Sequence, residues 1–244
     1  MNIENVIEVN NLVKKFGNFT ANDRLSFSVK PGEIFGFLGA NGAGKTTAMR
    51  ILSGLSSPTS GEVSVAGYNV KTQAEKVKKS IGYMSQKFSL YADLTVKENI
   101  RLYGGIYGMR RQKINEKMDF LLKKLNMEGI KNSLISSLPL GWKQKLAFSI
   151  AILHEPKIVF LDEPTGGVDP ITRRQFWEMI YEASAHGVTV FVTTHYMDEA
   201  EYCDRVCIME AGKIEALGSP NALKQEFSAK NMDEVFLRIA RKKS

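Results

Sequence analysis

The stretch "GEIFGFLGANGAGKTTAMRILSGL", residues Gly32 to Leu55, decides the fold. It starts with a short apolar run of the kind found in buried strands, continues through a glycine-rich loop, and then takes a helical apolar spacing up to about Gly54. A strand that passes through a glycine loop into a helix is a supersecondary unit of α/β proteins. The stretch therefore predicts a strand, loop and helix unit within an α/β fold.

The strands around this unit fall into two groups. The last third of the chain contains the apolar runs "KIVFLD", "VTVFVTT" and "RVCIME", interleaved with helical stretches. Runs of this kind are typical of parallel strands that are buried on both faces. The opening third contains "VIEVNNLV", "LSFSV" and "GEVSVAG", separated by Gly, Pro and Asn, which indicates antiparallel strands. We predict a mostly parallel central sheet with an antiparallel β margin.

The middle of the chain has a different pattern, because its apolar residues follow helical spacing from about Lys87 to Ile152. We interpret this block as an α-helical subdomain inserted into the α/β core. The chain shows no internal repeat and no clear linker, so we expect one domain overall. The predicted segments are an α/β core with its antiparallel margin (1–86 and 153–218), a helical insertion (87–152) and a helical, basic tail (219–244).

Composition narrows the class of protein. With 244 residues, 43% of them hydrophobic, the chain can bury a large core. No apolar run approaches the roughly 18 residues of a membrane span, and the first residues lack the order of a secretory signal, so we expect a cytosolic protein. The cysteines, Cys203 and Cys207, are too few for a disulfide scaffold. We expect them to be ordinary buried or half-buried thiols in a reducing compartment.

The net charge of +7 is a weak footprint for a nucleic-acid partner. Four of the cations lie in the last seven residues, "RIARKKS", and the rest of the chain carries a modest excess of +3. We therefore expect no nucleic-acid partner, and a disordered tail with contact to anionic lipid as the alternative. A second basic segment, Met109 to Lys124, predicts a helix with a charged face, for which solvation is favoured over contact with a partner or a membrane surface.

The loop "GANGAGKT", Gly39 to Thr46, has the spacing G-x-x-x-x-G-K-[ST] after a strand and before a helix. In such a loop successive backbone N–H groups surround phosphates, and the helix N-terminus adds partial positive charge. Lys45 can reach the β- and γ-phosphates, and the Thr46 hydroxyl can ligate Mg²⁺. The alternative is a glycine turn with an exposed lysine. The residues predicted to surround the phosphates are Asn41, Gly42, Ala43, Gly44, Lys45, Thr46 and Thr47.

A second part of the site lies in "IVFLDEP", an apolar run that ends in Asp162 and Glu163. Asp162 is placed to hold hydrated Mg²⁺ beside Thr46, and Glu163 is placed to polarise a water. Two adjacent acids at a strand end are otherwise a solvated edge. The glycine loop earlier in the chain favours the site over the edge.

The motifs together resemble those of the ATP-binding subunits of ABC transporters. The resemblance rests on "GANGAGKTT", on Gln86 in "YMSQ", on "LDEPTGGVDP" and on "VTTH" with His195, and it covers essentially the whole chain in the family's order. Kinases, helicases and GTPases share the phosphate loop but do not combine it with the other three motifs. The resemblance implies the fold of a P-loop NTPase and the cofactors ATP and Mg²⁺.

The resemblance also implies a role for each motif residue. Phe16 takes the place of an aromatic that stacks on adenine, although an upstream Phe is otherwise a core residue. Gln86 would approach Mg²⁺ and the attacking water, and Glu163 would be the general base or orient that water. His195 would hydrogen-bond the γ-phosphate, and Asp169 would lie in the loop that faces a second subunit. Two further histidines, His154 and His186, match no motif and are interpreted as surface or turn residues.

One motif departs from the family. The segment L-S-G-G-Q, which closes the ATP site of the opposite subunit, here reads "LPLGWKQ": Leu138 and Gly141 match, whereas Pro139, Leu140 and Trp142 do not. Pro139 has neither a hydroxyl nor an N–H, but its fixed φ suits the first turn of a helix, and the amides of Leu140 and Gly141 remain.

We interpret this departure as a variant contact between subunits of a working ATPase. Trp142, Ser136 and Ser137 are candidates to substitute in part for the lost hydroxyl. The run Leu-Pro-Leu-Gly-Trp also resembles a subgroup of bacterial exporter-type subunits that is linked to efflux of small molecules or drugs.

The predicted function is an ATPase subunit that closes head to tail with a second copy or a related chain and drives separate transmembrane permease subunits. It would be cytoplasmic, with peripheral contact at the membrane. The expected docking surface follows Gln86 and contains the aromatics Phe88, Tyr91, Tyr103 and Tyr107, for which a core position is the alternative. Two other functions stay open: a soluble ABC ATPase that acts on ribosomes or nucleic acid, and a nucleotide-dependent binding module with little turnover.

Overall fold

The computed structural model describes residues 4–86 and 90–241. The chain alternates short strands and helices in the order that the sequence patterns predict. The strands are β1 (Ile7–Phe16), β2 (Phe19–Val29), β3 (Ile34–Gly39), β4 (Ser60–Val65), β5 (Tyr68–Asn69), β6 (Ile81–Met84), β7 (Ile158–Asp162), β8 (Thr189–Thr194), β9 (Arg205–Glu210) and β10 (Lys213–Gly218). The helices are α1 (Lys45–Leu52), α2 (Ala74–Ser80), α3 (Val96–Ile106), α4 (Arg111–Lys124), α5 (Leu140–Ala151), α6 (Pro170–Ala185), α7 (Pro220–Glu226) and α8 (Met232–Arg241).

Two sheets form the core. The larger has the order β10-β9-β3-β8-β7-β6, in which all neighbouring strands are parallel except β9 and β10. The smaller sheet, β2-β1-β4-β5, is antiparallel. The prediction of an α/β fold with a mostly parallel central sheet and an antiparallel margin is confirmed.

The central strand β3 explains why both faces of the larger sheet are covered. All six of its residues are buried. Ile34 and Leu38 point to the hydrophobic cluster that contains α3, α5 and α6, whereas Phe35 and Phe37 point to the cluster beneath the antiparallel sheet. Alternate side chains of a strand point to opposite faces, so one apolar run supplies both cores.

Aromatic rings join the two sheets. Phe27 of β2 lies 5.6 Å from Phe35 and 5.5 Å from Phe37, measured between ring centroids. Phe191 of β8 lies 5.2 Å from Phe37 and 5.3 Å from Phe160 of β7. These offset and tilted contacts are favoured for aromatic pairs. They fix the antiparallel sheet over the strands that lead into the glycine loop and the paired acids.

In chain order the helices α3, α4 and α5 come between β6 and β7. Their apolar residues share one cluster with the face of the larger sheet to which Ile34 and Leu38 point. In α4 the buried residues Ile114, Met118, Leu121 and Leu122 face this cluster, while the basic side chains lie largely on the solvent side. The segment boundaries chosen from the sequence stay predictions, although the helical block does fall between β6 and β7.

Cys203 and Cys207 are buried free thiols, as predicted, and burial raises the pKa of both. His186 is exposed at the end of α6. His154 lies in a turn, as predicted, and is half-buried with its ring stacked on Tyr107. Within residues 4–86 and 90–241 no helix is both long and apolar enough to cross a membrane.

Candidate functional site

The glycine loop between β3 and α1 has a backbone that requires glycine. Gly44 has a φ of 99°, and a Cβ built there would lie 2.3 Å from the carbonyl oxygen of Ala21. The loop is held from outside, because the Asn22 side chain donates to the Gly44 carbonyl and the Gly212 amide donates to the Ala43 carbonyl. The helix α1 starts at Lys45 without a side-chain cap. Its first amides therefore face the loop and form an anion site.

Lys45 connects this loop to the acidic strand end. Its Nζ donates to the carbonyl oxygens of Gly39 at 2.7 Å and Ala40 at 3.1 Å. Burial lowers the pKa of Lys45, and the charges of Glu163 and Asp162 act in the opposite direction. The ammonium is thus within electrostatic range of both carboxylates. The structure brings together the glycine loop and the paired acids, and the alternative of an exposed lysine on a simple turn is wrong, since Lys45 is 6% exposed.

Asp162 is the last residue of β7 and is 7% exposed. Its Oδ1 accepts a hydrogen bond of 2.6 Å from the hydroxyl of Thr193 on the neighbouring strand β8. Burial raises the pKa of Asp162, while the Thr193 hydrogen bond lowers it. A solvated strand edge, the alternative to a site here, does not fit a carboxylate that is buried and oriented by a hydroxyl.

Glu163 has a left-handed backbone with a φ of 48°. Such a conformation is uncommon for a residue with a side chain and occurs where neighbouring groups hold it in place. Here the Glu163 amide donates to both the carbonyl and the hydroxyl oxygen of Thr193, at 3.1 and 3.2 Å. The turn aims the carboxylate of Glu163 away from the strand direction and toward the loops at the end of the sheet.

The Glu163 carboxylate contacts the two other motif residues, Gln86 and His195. Its Oε2 accepts from Gln86 Nε2 at 2.8 Å and lies 3.1 Å from His195 Nδ1. Gln86 follows β6 and His195 follows β8, so three strand ends supply this cluster. The side chain of Glu163 is 12% exposed and that of His195 is 36% exposed. The cluster is therefore sheltered yet open to solvent on one side.

Phe16 lies at the end of β1, beside the turn to β2, and is 56% exposed. The core position that was the alternative for this residue is therefore wrong. The Lys14 Nζ lies 5.0 Å from its ring centroid. The same strand β2 that pairs with Phe16 also carries Ala21 and Asn22, which contact Gly44, so the exposed ring belongs to the hairpin that supports the glycine loop.

The variant segment forms the start of α5, but Pro139 does not occupy the first helical turn as expected. It lies one position earlier, at the N-cap, with φ −57° and ψ 151°. Its carbonyl accepts from the amides of Trp142 and Lys143, both at 3.1 Å. The amides of Leu140 and Gly141 are the first two of α5, where intrahelical partners do not exist. Proline thus fixes the entry to the helix rather than its first turn.

The start of α5 packs against the loop that follows the acids. A Cβ built on Gly141 would lie 2.6 Å from Thr172 Cγ2. Thr172 in turn bonds Asp169, whose carboxylate accepts from the Thr172 amide at 3.0 Å and from its hydroxyl at 2.6 Å. These hydrogen bonds lower the pKa of Asp169, which caps α6 ahead of Pro170. Asp169 is therefore a helix cap, and its role toward a second subunit stays a prediction.

The two serines near this segment are exposed and partly engaged within the chain. The Ser137 hydroxyl donates to the Leu134 carbonyl at 2.8 Å. The Ser136 carbonyl accepts from Lys143 Nζ at 3.1 Å. Trp142 is 37% exposed and Leu140 is 38% exposed. The surface at the start of α5 therefore offers apolar side chains beside free amides.

Thr193 is the functional residue that sequence reasoning missed. Its hydroxyl contacts both Asp162 and the Glu163 amide, so it orients the two acids at once. The motif "VTTH" contains Thr193 two positions before His195, so the residue lay inside a motif that was already recognised. Only the pairing of β7 with β8 shows which side chain it meets.

The oxygen donors at this sheet end suit a hydrated Mg²⁺ better than a metal held by protein alone. In the described part of the chain no group of three or more His, Cys, Asp or Glu could hold a metal ion. Asp162 uses one oxygen for Thr193. The Thr46 side chain is exposed at the start of α1. One carboxylate and one hydroxyl, completed by phosphate oxygens and waters, match the preference of Mg²⁺.

Comparison with known proteins agrees with this arrangement. The family model described as ABC transporter matches residues 22–166, more than half of the chain. Over 241 residues the chain is 48% identical to the probable multidrug ABC transporter ATP-binding protein YbhF of Escherichia coli (strain K12). That match covers 97% of this chain and 42% of YbhF, so the chain spans less than half the length of this relative.

Two solved structures are similar along nearly their whole length. The ATP binding subunit of an ABC transporter has a TM-score of 0.87 and 28% identity, with 96% of this chain and 99% of that chain covered. A dimeric ATP-binding cassette in a post-hydrolysis state, bound to ADP and Pi, has a TM-score of 0.79 and 26% identity, with 87% and 98% covered. The chain therefore belongs to the ABC transporter family, as one of its ATP-binding proteins.

Proposed function

We propose that this chain binds ATP with Mg²⁺, hydrolyses it to ADP and phosphate, and serves as the ATP-binding subunit of an exporter. The observation that carries the proposal is that β3 and β7 run parallel on either side of β8, so that the glycine loop and the paired acids lie at the same end of the sheet, with Lys45 in electrostatic range of Asp162 and Glu163. A cation, a metal-binding carboxylate and a second carboxylate at one place are the parts that phosphoryl transfer to water needs.

The glycine loop would bind the triphosphate. Backbone amides between Asn41 and Thr47 would surround the phosphates, and Lys45 would exchange its bonds to the Gly39 and Ala40 carbonyls for phosphate oxygens. Phe16, exposed on the hairpin that braces the loop, would stack on adenine. This assignment uses an aromatic face that the fold leaves open to solvent.

Thr46, Asp162 and Gln86 would hold Mg²⁺ together with phosphate oxygens. The ion would neutralise charge that develops on the phosphates. Asp162 is prepared for this task, because Thr193 holds one of its oxygens and leaves the carboxylate in a fixed orientation. Burial raises the pKa of Asp162, and a nearby cation favours its ionised form.

Glu163 would accept a proton from the attacking water or orient it. Gln86 and His195 both contact its Oε2. When a γ-phosphate enters, the same two side chains are close enough to turn toward it and toward the water, with His195 donating to the phosphate. The left-handed backbone of Glu163 keeps the carboxylate aimed at this point.

The decisive experiment compares ATP turnover with ATP binding. Glu163→Gln should lower the rate of phosphate release about a hundredfold or more, because a general base is lost. Calorimetry should still detect Mg²⁺-dependent ATP binding by this variant. Glu178→Gln, on the exposed face of α6, is the matched control and should behave as the unmodified chain. Unchanged turnover in Glu163→Gln would contradict the proposed chemistry.

A membrane partner is proposed for the surface after Gln86. Three apolar side chains are exposed here: Tyr91 (52%), Leu102 (36%) and Ile106 (63%). Tyr103 and Tyr107 are only partly exposed, and Phe88 lies outside the described residues. Transmembrane permease subunits would dock on this patch, which places the chain peripherally on the cytoplasmic face of a membrane. Export of small molecules is proposed from the name of the relative YbhF, a probable multidrug transporter protein.

A second copy, or a related chain, would close head to tail over the nucleotide. The support is the start of α5, where the first amides and the exposed Leu140 and Trp142 form one surface beside Asp169. ATP-driven dimerisation of Glu163→Gln, measured by size-exclusion chromatography, tests this step. The solved structure that resembles this chain and holds ADP and Pi is dimeric.

The same assay tests the variant contact. Pro139→Ser in the Glu163→Gln background restores a hydroxyl and should tighten the dimer about tenfold or more, as expected for a hydrogen bond to a charged group. Serine is also a better N-cap and stabilises α5 by about 1 kcal/mol, so thermal stability must be measured beside it. Equal dimerisation in both chains would show that the proline has no energetic consequence there.

A further inference from the structure

The strand that leads to Gln86 is the outer strand of the larger sheet. β6 has four residues and, among the described strands, pairs with β7 alone. Its other edge therefore presents backbone groups without a strand partner. In a strand, the backbone groups of residues two apart point to the same side, so Ile81 and Tyr83 share one edge. Such an edge requires other partners if it is to stay ordered.

Two side chains occupy this edge. The His154 Nε2 lies 3.1 Å from the Ile81 carbonyl oxygen, and the Tyr107 hydroxyl lies near the backbone of Tyr83. The two rings stack on each other, with centroids 3.7 Å apart and planes 13° apart. A stacked pair of rings thus takes the place that a further strand would take. We call this pair, Tyr107 and His154, the edge clasp.

The clasp joins three elements. Tyr107 is the C-cap of α3, and His154 lies in the turn after α5. A third contact sets the distance between β6 and α5. A Cβ built on Gly82 would lie 2.1 Å from the carbonyl oxygen of Ala151, the last residue of α5, so the two backbones approach too closely for any side chain at position 82. The end of α5 therefore sits directly against β6, and the clasp closes over the adjacent backbone.

This arrangement links the two ends of α5 to different parts of the site. The start of α5 carries Leu140 and Gly141 against the loop of Asp169, and its end is fixed to β6, which ends two residues before Gln86. A helix of twelve residues is a rigid rod about 18 Å long. The helix therefore spans the distance between the contact with Thr172 and the strand that leads to Gln86.

His154 is also chemically unusual. Its Nδ1 is buried and has no hydrogen-bond partner among the described residues. A buried nitrogen without a hydrogen-bond partner destabilises a fold. An apolar residue of similar size would fill the same space without this cost in free energy. A histidine here gains one specific bond, the donation from Nε2 to the Ile81 carbonyl.

We propose that Tyr107 and His154 are positioning residues for Gln86. They fix the position of the outer strand β6 relative to α3 and α5. In that position Gln86 reaches Glu163 and, during turnover, the attacking water. This proposal rests on the proposed ATPase function, and it assigns the coupling of the helical block to Gln86 to two named side chains. Neither of them is among the residues proposed to bind ATP.

The test is a double-mutant cycle on ATP turnover. His154→Leu should lower kcat about tenfold or more, since small displacements of a catalytic group have effects of this size, and should leave the KM for ATP within about twofold. His154→Gln, whose amide can still donate to the Ile81 carbonyl, should recover much of the loss. Added to Gln86→Ala, His154→Leu should have almost no further effect, because both act through the same side chain.

Matched controls separate positioning from stability. His186→Leu, at the exposed end of α6, should have the kcat of the unmodified chain. Tyr107→Phe is a second control, which removes the hydroxyl and keeps the ring stack. Tyr107→Phe should show a smaller loss of kcat than His154→Leu and should fold normally. Additive effects of His154→Leu and Gln86→Ala, or a full kcat in His154→Leu, would overturn the proposal.

Failure of the proposed function has a different signature. If the unmodified chain shows no turnover that is sensitive to Glu163→Gln, the ATPase assignment fails, and the clasp is then judged by amide hydrogen exchange. Exchange at residues 81–86 should increase in His154→Leu and not in His186→Leu, while strand β8 stays protected in both. Equal protection of residues 81–86 in all three chains would contradict the clasp itself.

Discussion

The sheet end that carries Lys45, Asp162 and Glu163 and the helical block from α3 to α5 use different means to build a site. At the sheet end, hydrogen bonds hold the charged side chains in place. Asp162 accepts from Thr193, Glu163 accepts from Gln86 and lies beside His195, and Lys45 donates to carbonyls of the loop. In the helical block, the contacts depend on close packing. Gly141 leaves room for Thr172, Pro139 is the N-cap of α5, and the stacked rings of the edge clasp cover the edge of β6. The chemistry of the sheet end requires particular residue types, whereas the packing of the helical block requires particular backbone positions.

This difference explains what the helical block can tolerate. The sequence L-P-L-G-W departs from the family's L-S-G-G-Q without losing the helix start, because the Pro139 carbonyl accepts the first bonds of α5 and the free amides remain. A comparable exchange at the sheet end would remove a charge or a proton acceptor. The predictions below test this division, beginning with the residue whose loss should cost most.

Thr193→Val should lower kcat about ten- to a hundredfold, because its hydroxyl orients both Asp162 and the Glu163 backbone. Steady-state ATPase kinetics measures this effect. Stability should also fall by about 1–3 kcal/mol, as expected for a lost hydrogen bond to a buried carboxylate. If the sheet end acts through orientation, the loss of kcat should exceed what the loss of folded protein explains.

Thr189→Val provides the control for this prediction. Thr189 is buried at the opposite end of the same strand β8, where its hydroxyl oxygen accepts from the Gly32 amide at 2.9 Å. The variant should lose a similar amount of stability in urea titrations and keep its kcat. Equal losses of kcat in both variants would mean that β8 contributes only to folding.

The sequence predicted most of the sheet end and little of the helical block. The glycine loop, Asp162 and Glu163 could be found because phosphate and metal chemistry requires those residue types at fixed spacing from a strand. Gln86 and His195 were identified through the resemblance to the family's motifs. The spacing from the strand also implied that the loop and the acids meet, because the carboxyl ends of parallel strands lie at one edge of the sheet.

The helical block was predicted only in outline, as a helical insertion. The position of Pro139 at an N-cap differs by one residue from the expected first turn, a distinction that depends on ψ, which the sequence does not fix. His154 was interpreted as a surface or turn residue, because no motif contains it. Its partners, Tyr107 and the Ile81 carbonyl, come from distant parts of the chain and meet only through the order of strands in the sheet.

Gly141→Ala sharpens the contrast at the start of α5. The new methyl would meet Thr172 Cγ2, and Thr172 cannot rotate away without giving up its bond to Asp169. We expect a destabilisation of about 1–3 kcal/mol from overpacking, reduced by up to about 1 kcal/mol because alanine favours a helix over glycine. Urea titration gives the free energy of unfolding.

Thr172→Ser is the partner variant for this measurement. It removes Cγ2 and keeps the hydroxyl that bonds Asp169. The double variant Gly141→Ala with Thr172→Ser should regain most of the stability that Gly141→Ala loses. Strictly additive effects would show that the contact with Thr172 is not what excludes a side chain from position 141.

The smallest expected effect concerns pH and the edge clasp. Burial lowers the pKa of His154 to about 4 from an ordinary value near 6.5, with the nearby Lys117 charge acting in the same direction and the Ile81 carbonyl in the opposite one. The unfolded chain therefore binds this proton more readily than the folded chain. The stability contributed by a neutral His154 is fully present above pH 6.5 and is lost as the pH falls toward 4.

Between pH 7.5 and pH 5 the unmodified chain should lose about 1 kcal/mol more stability than His154→Gln, after allowance for the partial exposure of the ring. The comparison cancels the titration of other groups, such as Asp162 and Glu155, because they are present in both chains. Parallel pH profiles for the unmodified chain and His154→Gln would show that the ring is not held neutral by its packing, and the clasp would then have to act through the bond to Ile81 alone.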